Sequence, residues 1–98
     1  MSWTVKYTSV GANGFKKCPK NVQTVMKLLE KDLEASGPVQ TSWPHYSKIT
    51  GHKKCHHCHV FRLKMIYVAV WRESGTNSIE VIYVGSHEKA NYGRACKS

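Results

Sequence analysis

Near the N-terminus, Trp3, Val5 and Tyr7 alternate with Thr4, Lys6 and Thr8, the two-residue period of a strand with one buried face. This strand is expected to stop at the GANG segment, where Gly11, Asn13 and Gly14 supply turn chemistry. Pro19 suits the first turn of a helix, because its missing N–H costs nothing there. From Lys20 to Ala35, Val22, Val25, Met26, Leu29 and Leu33 recur at helical spacing opposite Lys27, Glu30, Lys31 and Glu34, which predicts one long amphipathic helix. Ser36-Gly37-Pro38 marks its end. The stretch from Pro38 to Gly51 reads as an irregular connection with room for a second, short helical turn. Strands are expected over Lys53–Phe61, Leu63–Arg72 and Ser78–Gly85, the last two joined by a hairpin turn at Ser74-Gly75-Thr76-Asn77. The order is strand, helix, three-stranded antiparallel meander and basic tail, an α+β class. A helix between the first strand and the meander covers only one sheet face, so the other face needs a different cover or a binding partner.

The 98 residues fit one domain over 1–98, and 41% hydrophobic residues suffice for a modest core. Fifteen Lys and Arg against six Asp and Glu give a formal charge of +9, with six His to add more in acid. Such an excess favours polyanionic partners: nucleic acid, an acidic protein or anionic lipid. The longest apolar run, Met65 to Trp71, is far shorter than the ~20 residues needed to span a bilayer, so no membrane role is expected. The N-terminal segment has no continuous apolar core of a signal peptide, so a cytoplasmic protein with Cys18, Cys55, Cys58 and Cys96 reduced is expected.

Three groups of residues carry candidate chemistry. The run from Tyr83 to Tyr92 leaves a strand and at once presents His87, Glu88, Lys89 and Tyr92. Imidazole moves protons near neutral pH and an ammonium group holds growing phosphate charge, although a charged chain end can equally be mere solvated surface. Lys53-Lys54-Cys55-His56-His57-Cys58-His59 contains a Cys-x-x-Cys spacing with adjacent His, a pattern known from zinc sites. In a strand, however, Cys55 and Cys58 point to opposite faces, which one ion cannot bridge. The same alternation puts Lys53, Cys55, His57, His59 and Phe61 on one face and Lys54, His56, Cys58 and Val60 on the other. The third group is the cations Arg62, Lys64, Arg72, Lys89, Arg94 and Lys97, which neighbouring strands could gather along one phosphate track. Trp43, Trp71, Tyr67 and Tyr83 could stack on bases, but core packing is their commoner use. The GANG segment lacks the Gly-Lys-Ser/Thr ending of a phosphate loop, and no Ser-His-Asp order is readable.

The segments Ile49–Cys55, Met65–Val70 and Val81–Lys89 resemble the RelE/ParE toxin superfamily. The RelE-like toxins with a Tyr-Val-Gly-x-His-Glu-x-x-x-Tyr ending are matched by Tyr83, Val84, Gly85, His87, Glu88 and Tyr92. The resemblance implies a toxin of a type II toxin-antitoxin pair, an endoribonuclease that cleaves mRNA in the ribosomal A site. The 2′-hydroxyl attacks the adjacent phosphate to leave a cyclic phosphate, and no metal or other cofactor is required. The implied partners are mRNA, the ribosome and a cognate acidic antitoxin.

By position, His87 falls where the family places a catalytic Arg or His, Tyr92 falls near its C-terminal Tyr, and His57 and His59 fall near its strand cations. A family strand Arg falls at Met65, so Lys64 or Arg62 would have to supply that charge. The expected catalytic set is therefore His87, His59, Lys64 and Tyr92, with His57, Arg62, Lys89, Lys53, Lys54 and Arg94 on RNA. Two alternatives remain open: a ParE-like gyrase inhibitor without nuclease activity, and a zinc-stabilised nucleic-acid-binding module.

Overall fold

The computed structural model describes residues 2–62 and 64–97, and the side chains of all of these except Lys53 and Lys97. The expected start of a strand at Leu63 lies outside the described residues. Strand β1 (Thr4–Tyr7) is followed by helices α1 (Ser9–Lys17) and α2 (Lys20–Ser36), then by β2 (Ser47–Ile49), β3 (His52–Arg62), β4 (Ile66–Glu73), β5 (Ser78–Ser86) and the short α3 (Tyr92–Lys97). The strands form one sheet in the order β1-β5-β4-β3-β2. β2 to β5 are antiparallel neighbours, while β1 returns to pair parallel with β5, Thr4 opposite Ser78 and Tyr7 opposite Val81. This is the expected α+β arrangement, with the meander extended by an edge strand on each side.

The long helix forms as its spacing predicts. Val22, Met26, Leu29 and Leu33 are wholly buried, and they meet Cys58 and Val60 of β3, Ala69 and Trp71 of β4, and Ile79 and Val81 of β5. Gly37, at φ 89°, ends the helix, and its N–H bonds the Leu33 carbonyl. Phe15 of α1 packs on the same core and meets Tyr7 edge-on at 5.7 Å.

The GANG segment is not a turn. It lies within α1, whose start is capped by the Thr8 hydroxyl accepting from the Gly11 N–H at 3.1 Å. Glycine is used here for proximity: a Cβ on Gly11 would stand 2.2 Å from the Val81 carbonyl oxygen, and one on Gly14 would stand 2.2 Å from that of Val84. The glycines let a helix lie directly on the backbone of β5, a role that turn propensity alone cannot distinguish. The 38–51 connection likewise departs from expectation, because Ser47–Ile49 pairs with β3, Ser47 opposite His57 and Lys48 opposite His56.

The opposite sheet face carries a smaller cluster. Cys55, Val70 and Ile82 are buried there beneath Tyr92, Ala95 and Cys96 of α3. The basic tail is thus a helical cover. Cys55 and Cys96 are joined by a disulfide across a Cα–Cα distance of 6.1 Å, so the expectation of four reduced thiols is corrected for this pair; residues 41 apart in sequence become neighbours only once α3 docks. Cys18 and Cys58 are free and buried. No described helix is long and apolar enough to cross a membrane.

Replacing Gly11 with Ala separates the two roles of that residue. In an ordinary helix the change stabilises by about 0.5–1 kcal/mol, whereas forcing atoms into a packed contact costs about 1–3 kcal/mol. A lowered urea midpoint is expected for Gly11→Ala, and a raised one would contradict the close packing of α1 on β5.

Candidate functional site

The two faces of β3 have opposite fates because its residues alternate between the helix layer and the face that α3 partly covers. On the helix side His56 is wholly buried between Tyr46 and Trp71. Its Nδ1 accepts from the Tyr46 hydroxyl at 2.7 Å and its Nε2–H donates to Glu73 at 2.9 Å, the pattern of a neutral imidazole satisfied at both nitrogens. Burial pulls the His56 pKa down, and this outweighs the opposing pull of Glu73. His56 therefore ties the 38–51 connection to the sheet, a structural role that residue type alone does not reveal.

On the other face His57 and His59 emerge together, as the strand period requires. The His59 ring stacks on His45 at 4.2 Å, meets His87 at 5.4 Å and lies 6.4 Å from His57. The His57 ring is also 4.9 Å from that of Tyr92. Four imidazoles and a phenol from β3, the preceding loop, the turn after β5 and α3 thus converge on one surface. His57, His59, His87 and Tyr92, each singled out from the sequence, meet here.

Each ring is held by backbone geometry. The Pro44 carbonyl accepts from the His59 N–H at 2.8 Å, which brings the adjacent His45 over His59; His45 takes φ 54°, in the left-handed region. The His57 Nδ1 lies 3.2 Å from both the carbonyl and the hydroxyl of Ser47, on the paired residue of β2. The His87 N–H donates to the Ile66 carbonyl at 2.8 Å, fixing the turn after β5 against the start of β4. The Tyr83-Val84-Gly85 triplet shapes the same turn: the Tyr83 hydroxyl donates to the Ser86 carbonyl at 2.8 Å, crossing Gly85 where a Cβ would come within 2.7 Å of it.

The electrostatics follow from crowding. Burial lowers the His57 pKa, with further lowering from His87 and His45 that the Ser47 hydrogen bond partly opposes. Burial also leads for His59, followed by His45, His87, His57 and Arg62. Both rings are thereby favoured in the neutral, proton-accepting form. Burial raises the Tyr92 pKa, and the Tyr92 hydroxyl is buried without a hydrogen-bond partner among the described residues.

The cations do not all join this surface. Arg62 does, lining with His45, His59, Phe61 and Ile66 a cleft of about 490 Å³. Lys89 and Arg94 line a separate recess with Tyr83 and Ile82. Arg72 is tied to Glu80 at 2.8 Å, and Lys54 lines a third recess beside the disulfide. Lys64 is exposed in the β3–β4 connection. The side chains of Lys53 and Lys97 lie outside the described residues. Arg62 thus lies at the cleft beside His59, while Lys54, Lys89 and Arg94 line recesses that meet at Arg72.

One further expectation changes, and one is met. Phe61 turns to the helix core, because a bulge between His59 and Phe61 reverses the alternation. Trp71 packs in the core, as expected of it, with its indole N–H on the Pro38 carbonyl. His45 was missed; its only sequence signal was a His after a Pro in an irregular stretch. Cys55 and Cys58 do fall on opposite faces, and no described cluster of three or more His, Cys, Asp or Glu residues is arranged to hold a metal ion.

No protein-family model matches the chain, and no curated protein sequence does. Among solved structures it is similar to a doubly substituted mutant of the E. coli toxin RelE in the free state, with 16% identity over 98% of this chain and 95% of that one and a TM-score of 0.77. It is also similar to the YoeB dimer from Staphylococcus aureus, with 11% identity over 89% of this chain and 99% of that one and a TM-score of 0.70. The chain has a RelE-like fold.

Two outcomes follow from the suppressed basicity of these rings. His56, His57 and His59 titrate below their ordinary value of 6.5 in the folded state, so the unfolded chain binds more protons as the pH falls through that value. Stability from this source is fully present above about pH 6.5 and declines below it; urea midpoints that stay level or rise on acidification would contradict this. Replacing His45 with Phe keeps a flat ring but removes its Coulombic effect on His59, so the His59 pKa read by NMR titration should rise. An unchanged value would mean that His45 does not couple to it.

Proposed function

We propose that this RelE-like chain is an mRNA-cleaving toxin, and that the histidine surface is its nuclease site. The observation that carries the proposal is the meeting of His59 and His87 at 5.4 Å beside the Arg62 cleft, on a chain of charge +9. Cleavage of RNA by its own 2′-hydroxyl needs a proton acceptor, a proton donor and a cation for the phosphate, and it needs no cofactor.

In this reading neutral His59 takes the 2′-hydroxyl proton as the oxygen attacks phosphorus. The bond from phosphorus to the 5′-oxygen then breaks, and His87 protonates that leaving oxygen. The products are a 2′,3′-cyclic phosphate and a 5′-hydroxyl. Arg62 offsets the growing charge on the phosphorane, with Lys64 close enough in sequence to assist. His57 and Tyr92 flank the nucleotide and orient it. Lys89, Arg94 and Lys54, in their separate recesses, steer the polyanion rather than touch the reacting phosphate.

The wider reading is a type II toxin that acts on mRNA in the ribosomal A site, in the cytoplasm, and is neutralised by an acidic antitoxin. The excess positive charge supports both partners, since either polyanion would associate quickly and with strong dependence on salt.

Loss of a general acid or base typically lowers the rate about 10²–10⁴-fold. His87→Ala is therefore expected to relieve growth arrest and to remove the cleavage stops seen by primer extension on translated mRNA. Full toxicity of that variant would overturn the assignment of His87. Growth arrest by the wild-type chain without any cleavage stop would instead favour gyrase inhibition.

A further inference from the structure

The tie between β3 and α3 joins two parts of the candidate site. Cys55 stands two residues before His57 on the same side of β3, and Cys96 stands one helical turn after Tyr92 on α3. A covalent bond thus joins the strand that carries His57 to the helix that carries Tyr92, whose rings lie 4.9 Å apart.

Beside the disulfide, α3 is docked through Tyr92, Ala95 and Cys96 on a small apolar cluster. Six residues are too few for a helix to persist alone, because an isolated helix shorter than about 12–15 residues is marginal in water. The cluster beneath it buries only Cys55, Val70 and Ile82 fully, and docking leaves the Tyr92 hydroxyl buried and unpaired, a cost that opposes the docked state.

The remaining thiols are poor competitors. Cys18 and Cys58 are both buried, and burial pushes the Cys58 thiol up to about 12. Cys96 is only half-buried and borders a recess of about 530 Å³, lined also by Lys54, Arg72, Glu73 and Glu80, that has room for a thiol or disulfide of glutathione size.

We propose that Cys55 and Cys96 form a reversible thiol-oxidation site that docks α3, and with it Tyr92, on the histidine surface when oxidised and releases it when reduced. In the forward step the Cys96 thiolate attacks a glutathione-type disulfide and expels one thiolate. Cys55 then attacks the mixed disulfide at Cys96 and expels the second. The two protons lost by Cys96 and Cys55 are taken up, through solvent, by the two expelled thiolates, so the oxidant accepts two electrons and leaves as two thiols. Oxidation completes the surface, and reduction leaves it without its phenol. Only this consequence for cleavage rests on the nuclease reading; the docking does not.

The test poises the whole protein across a range of glutathione and glutathione-disulfide ratios. Thiol alkylation with mass spectrometry reads the oxidised fraction, and hydrogen exchange reads the amides of residues 92–96. Closing a loop of this length favours the docked state strongly, so full reduction should speed exchange in α3 by about 100-fold or more. The contact between His57 and Tyr92 seen by NMR should disappear together with the protection. Cys96→Ser should behave as the reduced form at every ratio while keeping the wild-type urea transition of the reduced protein.

Unchanged exchange in α3 on reduction, or a pair that stays oxidised in the native protein under excess dithiothreitol, would overturn the proposal. In a translation extract, cleavage should rise with the oxidised fraction in the wild type and stay at the reduced level in Cys96→Ser. Absence of cleavage at every ratio would remove the nuclease reading and leave the exchange result to decide the switch.

Discussion

Everything in this molecule hangs on the alternation of side chains along β3, buried against helices on one side and presented to solvent and α3 on the other. His56, Cys58 and Val60 complete a core with Met26, Leu29 and Trp71, so the strand cannot slip by one residue without exposing that set. The same constraint forces His57 and His59 outward. Core formation and the construction of the histidine surface are therefore one event, driven by the burial of the opposite face.

The surface is assembled from segments distant in sequence, each brought in by ordinary backbone bonding. β2 delivers Ser47 to His57, the carbonyl of Pro44 brings His45 over His59, and the carbonyl of Ile66 anchors His87. Crowded, half-desolvated imidazoles hold protons less readily than isolated ones, and the neutral form is the one that can accept a proton. Burial first, and the neighbouring rings after it, thus lower the basicity of His57 and His59. His56 shows the contrast on the other face, where satisfied hydrogen bonds and full burial make an imidazole into a structural pin.

The fold was largely legible because its signals are local. Helical spacing in Lys20–Ser36 and the β-formers of Ile66–Glu73 and Ser78–Ser86 report which side of each element is buried, and burial is what stabilises them. The reading failed where one residue type serves two physical ends. Gly11 and Gly14 suit a turn, yet they also suit a helix pressed on a strand backbone, and only the presence of β5 selects between these. Ser47–Ile49 has no strand periodicity long enough to detect, and it is a strand because β3 offers it hydrogen bonds.

By itself the sequence determined the first strand, the long helix and the meander, the two faces of β3 as far as His59, the surplus of positive charge and the candidate residues His57, His59, His87 and Tyr92. Tertiary structure alone decided that His45 stacks on His59, that Arg62 lies in a cleft apart from the recesses of Lys54, Lys89 and Arg94, that Phe61 turns inward past a bulge, and that Cys55 lies against Cys96. The reason is range. Periodicity records the interaction of each residue with its own element and the nearest buried layer, whereas stacking, bulges and cross-links depend on where distant segments come to rest.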